Sequence, residues 1–146
     1  NFYALFSNKI TSEQINRILN EHFYNSSEFY GDWILPSIAR NDPSYAEQNY
    51  WRGRIWAPMN FLVYLALRKH ELIEACADLA RKSKELLLKE WIMHGHVHEN
   101  YDAETGMGCG VVNSDKFYHW GALLALIALM DAGFIDGPEK PLNNCI

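Results

Sequence analysis

From Glu99 to Phe134 the chain reads ENYDAETGMGCGVVNSDKFYHWGALLALIALMDAGF: three closely spaced carboxylates, Glu99, Asp102 and Glu104, in a glycine-bearing loop, then aromatics, then a helix apolar on every side. Such a helix has no wet face and belongs in the middle of a core, so the loop feeding its N-terminus is expected to open at a pocket near the core axis. Carboxylates beside exposed aromatic faces are the chemistry of sugar binding and glycosidic cleavage. A second cluster, Tyr50, Trp51, Arg52 and Trp56 in NYWRGRIWAPMN, repeats the arrangement with an apolar helix behind it.

The rest of the chain supplies helices at the spacing this requires. Thr11 and Gln14 form a capping box, and Ile15, Ile18 and Leu19 keep helical spacing, predicting a helix from about Thr11 to Phe23. Periodicity then disappears from Tyr24 to Arg52, where Gly31, Pro36, Asp42 and Pro43 punctuate a connection long enough to be a binding loop. Its Phe29, Tyr30, Trp33, Tyr45 and Tyr50 argue against disorder. Ile55–Lys69 is helical and nearly all apolar, and Pro58 fits only a first turn, which puts the helix start near Trp56. Glu71–His94 is amphipathic, with Leu72, Ala75, Cys76, Leu79, Leu86 and Trp91 on one face and Arg81, Lys82, Lys84, Glu85 and Lys89 on the rest. The buried helix follows from about Tyr118 to Ala132, closed by Gly133.

Apolar and amphipathic helices alternate, with long loops between an outer helix and the next inner one, as two concentric rings of helices require. No strand pattern competes. With 49% hydrophobic and 14% aromatic residues in 146, the chain can bury a core of one domain. Its net charge of -5 and scattered basic residues exclude a phosphate-binding stripe, so nucleic acid is not an expected partner. The longest apolar run, Gly121–Met130, is half of the roughly 20 residues a membrane span needs. Cys76, Cys109 and Cys145 are odd in number and far apart, which fits neither a disulfide framework nor a thiolate zinc site. The opening NFYALFSNKI has no initiator Met and no basic-then-apolar leader, and is expected to be a cut inside a longer protein.

Each chemical reading has an ordinary alternative. Glu99, Asp102 and Glu104 could supply a general base that takes a proton from water, or Asp102 and Glu104 could simply form a turn ahead of Gly106. Trp51, Trp56 and Trp120 could be sugar platforms with Arg52 as a donor fork, or core aromatics in front of buried helices. His94, His96 and His98 invite a metal reading, but the spacing is no known zinc signature and His at a helix end commonly caps carbonyls. Cys109 with His119 could pair as nucleophile and base, with nothing to orient them. No metal or cofactor is expected.

Three segments, SIARNDPSYAEQNYWRGRIWAPMNFLVYLAL, ENYDAETGMGCG and FYHWGALLAL, together resemble the C-terminal part of the (α/α)6 toroid of glycoside hydrolase family 63 and the related mannosylglycerate hydrolase group. The most specific pieces are YWRGxxW, from Tyr50 to Trp56, and the ExYD turn from Glu99 to Asp102 with the later Trp120. Family 37 trehalases are similar in the second piece alone.

The resemblance implies an all-α partial (α/α)6 toroid over residues 1–146, the C-terminal fragment of a catalytic domain. It implies an inverting hydrolase of an α-linked glucoside or mannoside, with Glu99 matching the general base. Tyr50, Gly53 and Trp56 match positions lining the subsite of the cleaved sugar, and Trp120 a Trp near its floor; Trp51, Arg52 and Tyr101 are expected beside them on the substrate side. The general acid, an Asp in an earlier helix hairpin of the family, has no match here, so the chain would carry half of a pair set roughly 6.5 to 9.5 Å apart. Arg54 and His119 stand where the family often has Pro and Gly. The fragment alone is expected to be inactive and to self-associate through exposed inner-helix faces. The alternatives are a carbohydrate-binding or scaffold protein that kept the toroid without catalysis, and a helical interaction module, in which Trp51, Trp56 and Trp120 would sit in separate cores.

Overall fold

The computed structural model describes residues 2–108 and 113–137, and in them all regular structure is helical apart from isolated β-bridges. Helix α1 spans Ser12–Arg17 and opens with the expected capping box: Thr11 Oγ1 accepts from Gln14 N, and Gln14 Oε1 accepts from Thr11 N. The helical path continues to Phe23 as expected, but Ile18–Phe23 is wound as a π-helix. Helix α2 is Ala57–Lys69, capped at Trp56 with Pro58 in its first turn, where the missing N–H costs nothing. Helix α3 is Ile73–His94, stopped by Gly95 at φ 70°. Helix α4 is Leu123–Asp131, entered through a 3₁₀ turn at His119–Ala122. It closes with Gly133 at φ 75° and the crossed bonds Gly133 N to Met130 O and Phe134 N to Leu129 O, the double closure that ends a helix sharply.

Helix α3 packs on α4, and α2 packs on both. Leu67, Leu79, Leu86, Leu124 and Ile127 are buried in the shared core, together with Tyr64. Three expectations about faces need correction. Trp91, placed on the buried face of α3, is 52% exposed, while Lys82, placed in solvent, is buried: its ammonium pairs with Asp78 at 2.8 Å and lies 3.7 Å from the Tyr30 ring centroid. A lysine stem covers apolar surface as well as a leucine when its head finds a partner. Helix α4, expected to be buried on every side, buries Leu124, Ile127 and Met130 but leaves Leu129 44% exposed, because among the described residues α2 and α3 pack on its other side.

The two long connections meet. Ile55 and Tyr101 exchange both backbone hydrogen bonds, at 2.8 and 3.0 Å. Ala103 N donates to Gln48 Oε1, Trp33 Nε1 to the Glu104 carbonyl, and Asn113 Nδ2 to Asn49 Oδ1. This seam sets the YWRG segment against the segment carrying Glu99.

Candidate active site

Trp56 anchors the first half of the site. It is completely buried at the N-cap of α2, and its Nε1 donates to the Tyr50 carbonyl at 2.9 Å, folding the 50–56 turn back over the indole. Asn60, one turn into α2, fixes the turn from below by donating to the Trp56 and Leu35 carbonyls and accepting from Leu35 N. Gly53 sits in the middle at φ 101°, and a Cβ there would lie 2.5 Å from the Tyr45 carbonyl oxygen, so the turn needs glycine. Trp51 stacks on Trp56, centroids 3.8 Å apart and planes 12° apart, and Tyr50 meets the same indole edge-on at 4.9 Å.

The second half comes from the 95–118 connection. Glu99 N donates to the Asp115 carbonyl at 2.8 Å, and Trp120 Nε1 donates to the Glu99 carbonyl at 3.2 Å. The Trp120 ring lies 5.9 Å from that of Trp56. The Glu99 carboxylate then faces the aromatic cluster: Oε1 accepts from the Tyr50 hydroxyl at 3.3 Å, and Oε2 is 3.5 Å from Asp115 N. Glu99 is only 7% exposed. Burial, followed by the nearby Glu99 carboxylate, raises the Tyr50 hydroxyl above the ordinary tyrosine value.

Glu99, Tyr50, Trp51, Trp56 and Trp120 therefore gather in one place rather than in separate cores. Their exposures divide the work. Trp51 and Tyr50 are 45% and 39% exposed and Trp120 is partly exposed, so these rings can meet a ligand. Trp56, expected as a platform, has no free surface and instead backs Trp51. Tyr101, expected on the substrate side, is wholly buried; its hydroxyl accepts from His98 N, and its backbone is committed to the Ile55 bridge. Gly53 is likewise buried and shapes the turn. Arg52 is exposed, with its guanidinium 3.0 Å from Glu47 rather than turned to Glu99.

The other carboxylates have local roles. Asp102 Oδ1 accepts from Glu104 N, Thr105 N and Thr105 Oγ1, and Asp102 O accepts from Gly106 N, which is the turn reading. Glu104 is bonded to the Tyr45 hydroxyl, with Arg40 Nε 3.8 Å away. His98 is turned to Glu90 at 3.1 Å, and His96 Nδ1 lies 3.3 Å from the Val97 carbonyl; among the described residues no three side chains converge as metal ligands. Cys109 and Cys145 lie outside the described residues. An apolar cleft of 260 Å³ between Phe2, Phe29, Met59 and Val63 offers no carboxylate and hence no hydrolytic chemistry.

Sequence reasoning passed over the polar supports on either side of Glu99. Asn100 is fully buried, its Oδ1 taking Arg54 Nε and its Nδ2 donating to the Asn113 carbonyl at 2.7 Å. Arg54, also fully buried, donates a second bond to the Gln48 carbonyl. Glu90 holds His98. The available signal was Glu90 itself, a carboxylate one turn after Leu86 on the apolar stripe of α3.

An all-helical chain that presents one carboxylate to a cluster of indoles and a tyrosine, on loops feeding apolar helices, has the arrangement of a helical glycoside hydrolase. A family model described as mannosylglycerate hydrolase MGH1-like glycoside hydrolase domain matches residues 1–120, and the chain belongs to that family. It is 32% identical over 114 residues to mannosyl-oligosaccharide glucosidase of Saccharomyces cerevisiae, covering 68% of this chain and 13% of that protein. It is 33% identical over 102 residues to mannosylglycerate hydrolase MGH1 of Selaginella moellendorffii, covering 66% and 19%. With mannosylglycerate hydrolase of Thermus thermophilus the identity is 30% over 94 residues, covering 64% and 20%. The chain thus spans no more than a fifth of the length of these relatives.

Proposed function

We propose that this chain is the general-base half of an inverting glycoside hydrolase that cleaves an α-linked glucoside or mannoside, and that its helices form part of an (α/α)6 toroid. The observation that carries the reading is the Glu99 carboxylate, nearly buried and held against the Tyr50 hydroxyl beside the exposed Trp51 ring. A carboxylate fixed in that way can take the proton of a water poised for the anomeric carbon, while the indole faces receive the apolar side of a sugar. The relatives' names, a glucosidase and mannosylglycerate hydrolases, define the two sugars worth testing. The partner acid is expected from the remainder of the complete protein, and no cofactor is required for this chemistry.

The test uses the complete protein with α-mannosylglycerate and an α-glucosyl disaccharide, following the released anomer by proton NMR. Inversion gives the β-anomer first; release of the α-anomer would break the mechanism. Glu99→Gln keeps the shape but cannot accept a proton, so turnover should fall by roughly 10²-fold or more while binding survives. Asp102→Asn, in the turn, should do far less. Binding of either sugar without hydrolysis by the wild-type protein would favour the non-catalytic carbohydrate-binding alternative.

A further inference from the structure

We infer that Glu90 is a positioning residue for Glu99, acting through His98 and Gly108; the inference rests on the catalytic reading of Glu99 given above. Glu90 stands near the end of α3, 1% exposed, on a stripe otherwise filled by Ala75, Cys76, Leu79, Ser83 and Leu86. A buried carboxylate is costly unless it is fully bonded, and a leucine would serve helix packing as well. Its partners explain it. Oε1 takes the Lys89 ammonium at 3.1 Å, whereas Oε2 takes two donors from outside the helix, Gly108 N at 3.0 Å and His98 Nε2 at 3.1 Å.

Those two donors are the two ends of the segment that carries Glu99. His98 immediately precedes it and is itself completely buried, and Gly108 directly follows Met107, whose carbonyl accepts from Asp102 N to close the turn begun there. A Cβ on Gly108 would fall 2.2 Å from the His98 ring, so ring and glycine backbone are pressed together beside the carboxylate. One oxygen atom of α3 therefore ties both ends of the loop. On the far side of Glu99, Asn100 is held by Arg54, so the backbone can neither slide nor rotate without breaking a buried charged hydrogen bond. Loss of the Glu90 tie frees the His98 side, where the direction of the Glu99 carboxylate toward Tyr50 is set.

The experiment measures kcat and KM of the complete protein on α-mannosylglycerate and the α-glucosyl disaccharide, below the melting temperature of each variant. Glu90→Leu should lower kcat by about 10-fold or more with KM within about 2-fold, since a base displaced by about an ångström loses alignment and not sugar contacts. Glu90→Gln keeps one acceptor oxygen and should fall in between. If Glu90→Leu does not fold, Glu90→Gln carries the test, and a wild-type kcat in that variant overturns the inference. Should Glu90 act through His98, the Glu90→Leu, His98→Leu double variant loses no more than the worse single one; multiplied losses would overturn it. A wild-type protein inactive on both sugars sinks the glycosidase reading, whereas activity that needs Glu99 but ignores Glu90 sinks this inference alone.

Discussion

The Tyr50 hydroxyl lies 3.3 Å from Glu99 Oε1, and the two residues come from connections separated by helices α2 and α3. Tyr50 reaches that position with φ at 50°, a left-handed conformation unusual for an aromatic residue, held there by Trp56 Nε1 on its carbonyl. Its hydroxyl removes one degree of freedom from the carboxylate. Tyr50→Phe should leave the fold intact and lower kcat by roughly 10-fold, the worth of one hydrogen bond to a charged group. Steady-state kinetics on the complete protein check this, and an unchanged kcat would mean that the hydroxyl does not orient the base.

Gly53 gives a prediction about stability rather than chemistry. An alanine there must adopt φ 101° and place its Cβ 2.5 Å from the Tyr45 carbonyl and 2.6 Å from the Gln48 side-chain amide. Gln48 is also the acceptor for Ala103 N, so the disturbance would pass straight into the seam between the two connections. Gly53→Ala should cost about 2–4 kcal/mol in urea unfolding, the range for strained backbone with a clash. A loss below about 1 kcal/mol would show that the turn relaxes freely.

Acid should weaken the fold through His98. Burial lowers this imidazole to about 4 from an ordinary 6.5, with His96, His94 and Lys116 adding to the effect and Glu90 opposing it. Between those values the unfolded chain binds a proton that the folded chain refuses, so stability falls as pH drops from 6.5 toward 4. Burial pushes the Glu90 carboxyl up, but the Gly108 N–H, Lys89 and His98 together hold it below 4.5, so its contribution is also lost on acidification. His98→Gln should flatten the melting temperature against pH in that window, removing at most ~3 kcal/mol of pH-dependent stability. Parallel curves for the two proteins would contradict the assignment.

Much of this was legible in the sequence because it depends on local rules. The capping box at Thr11, the helix start fixed by Pro58 and the stop at Gly133 each follow from one or two residues, and all three appear where expected. The pairing of Glu99 with Tyr50, Trp51 and Trp120 followed from two similar clusters in corresponding loops. Burial was less legible. Trp56 and Tyr101 belong to the same motifs as exposed residues, and they turn inward through contacts between distant segments, among them the bridge between Ile55 and Tyr101. Lys82 reads as a wet position by type, but its partners Asp78 and Tyr30 make it a core position, and Tyr30 comes from a distant loop that no helical period could include.

The last prediction concerns α3 and α4, whose outward faces are too apolar for solvent. Leu88, Trp91 and Ile92 stand at i, i+3 and i+4 on one side of α3, 43%, 52% and 79% exposed; Leu129 on α4 and Phe134 just beyond its end, at 78%, are exposed as well. Scattered apolar residues are ordinary, but a stripe along one helix face approaches the few hundred Å² at which a surface usually finds a partner. The isolated 146-residue chain should therefore self-associate, visible in sedimentation velocity as a mass that rises with concentration. Leu88→Glu with Ile92→Glu places two like charges in the stripe without touching the buried face at Leu79, Leu86 and Glu90, and should shift the chain toward monomer with its helical content unchanged. If the wild-type chain stays strictly monomeric at high concentration, this face is tolerated by solvent. If the double variant associates as strongly as wild type, the contact lies elsewhere, with the exposed side of α4 the next surface to change.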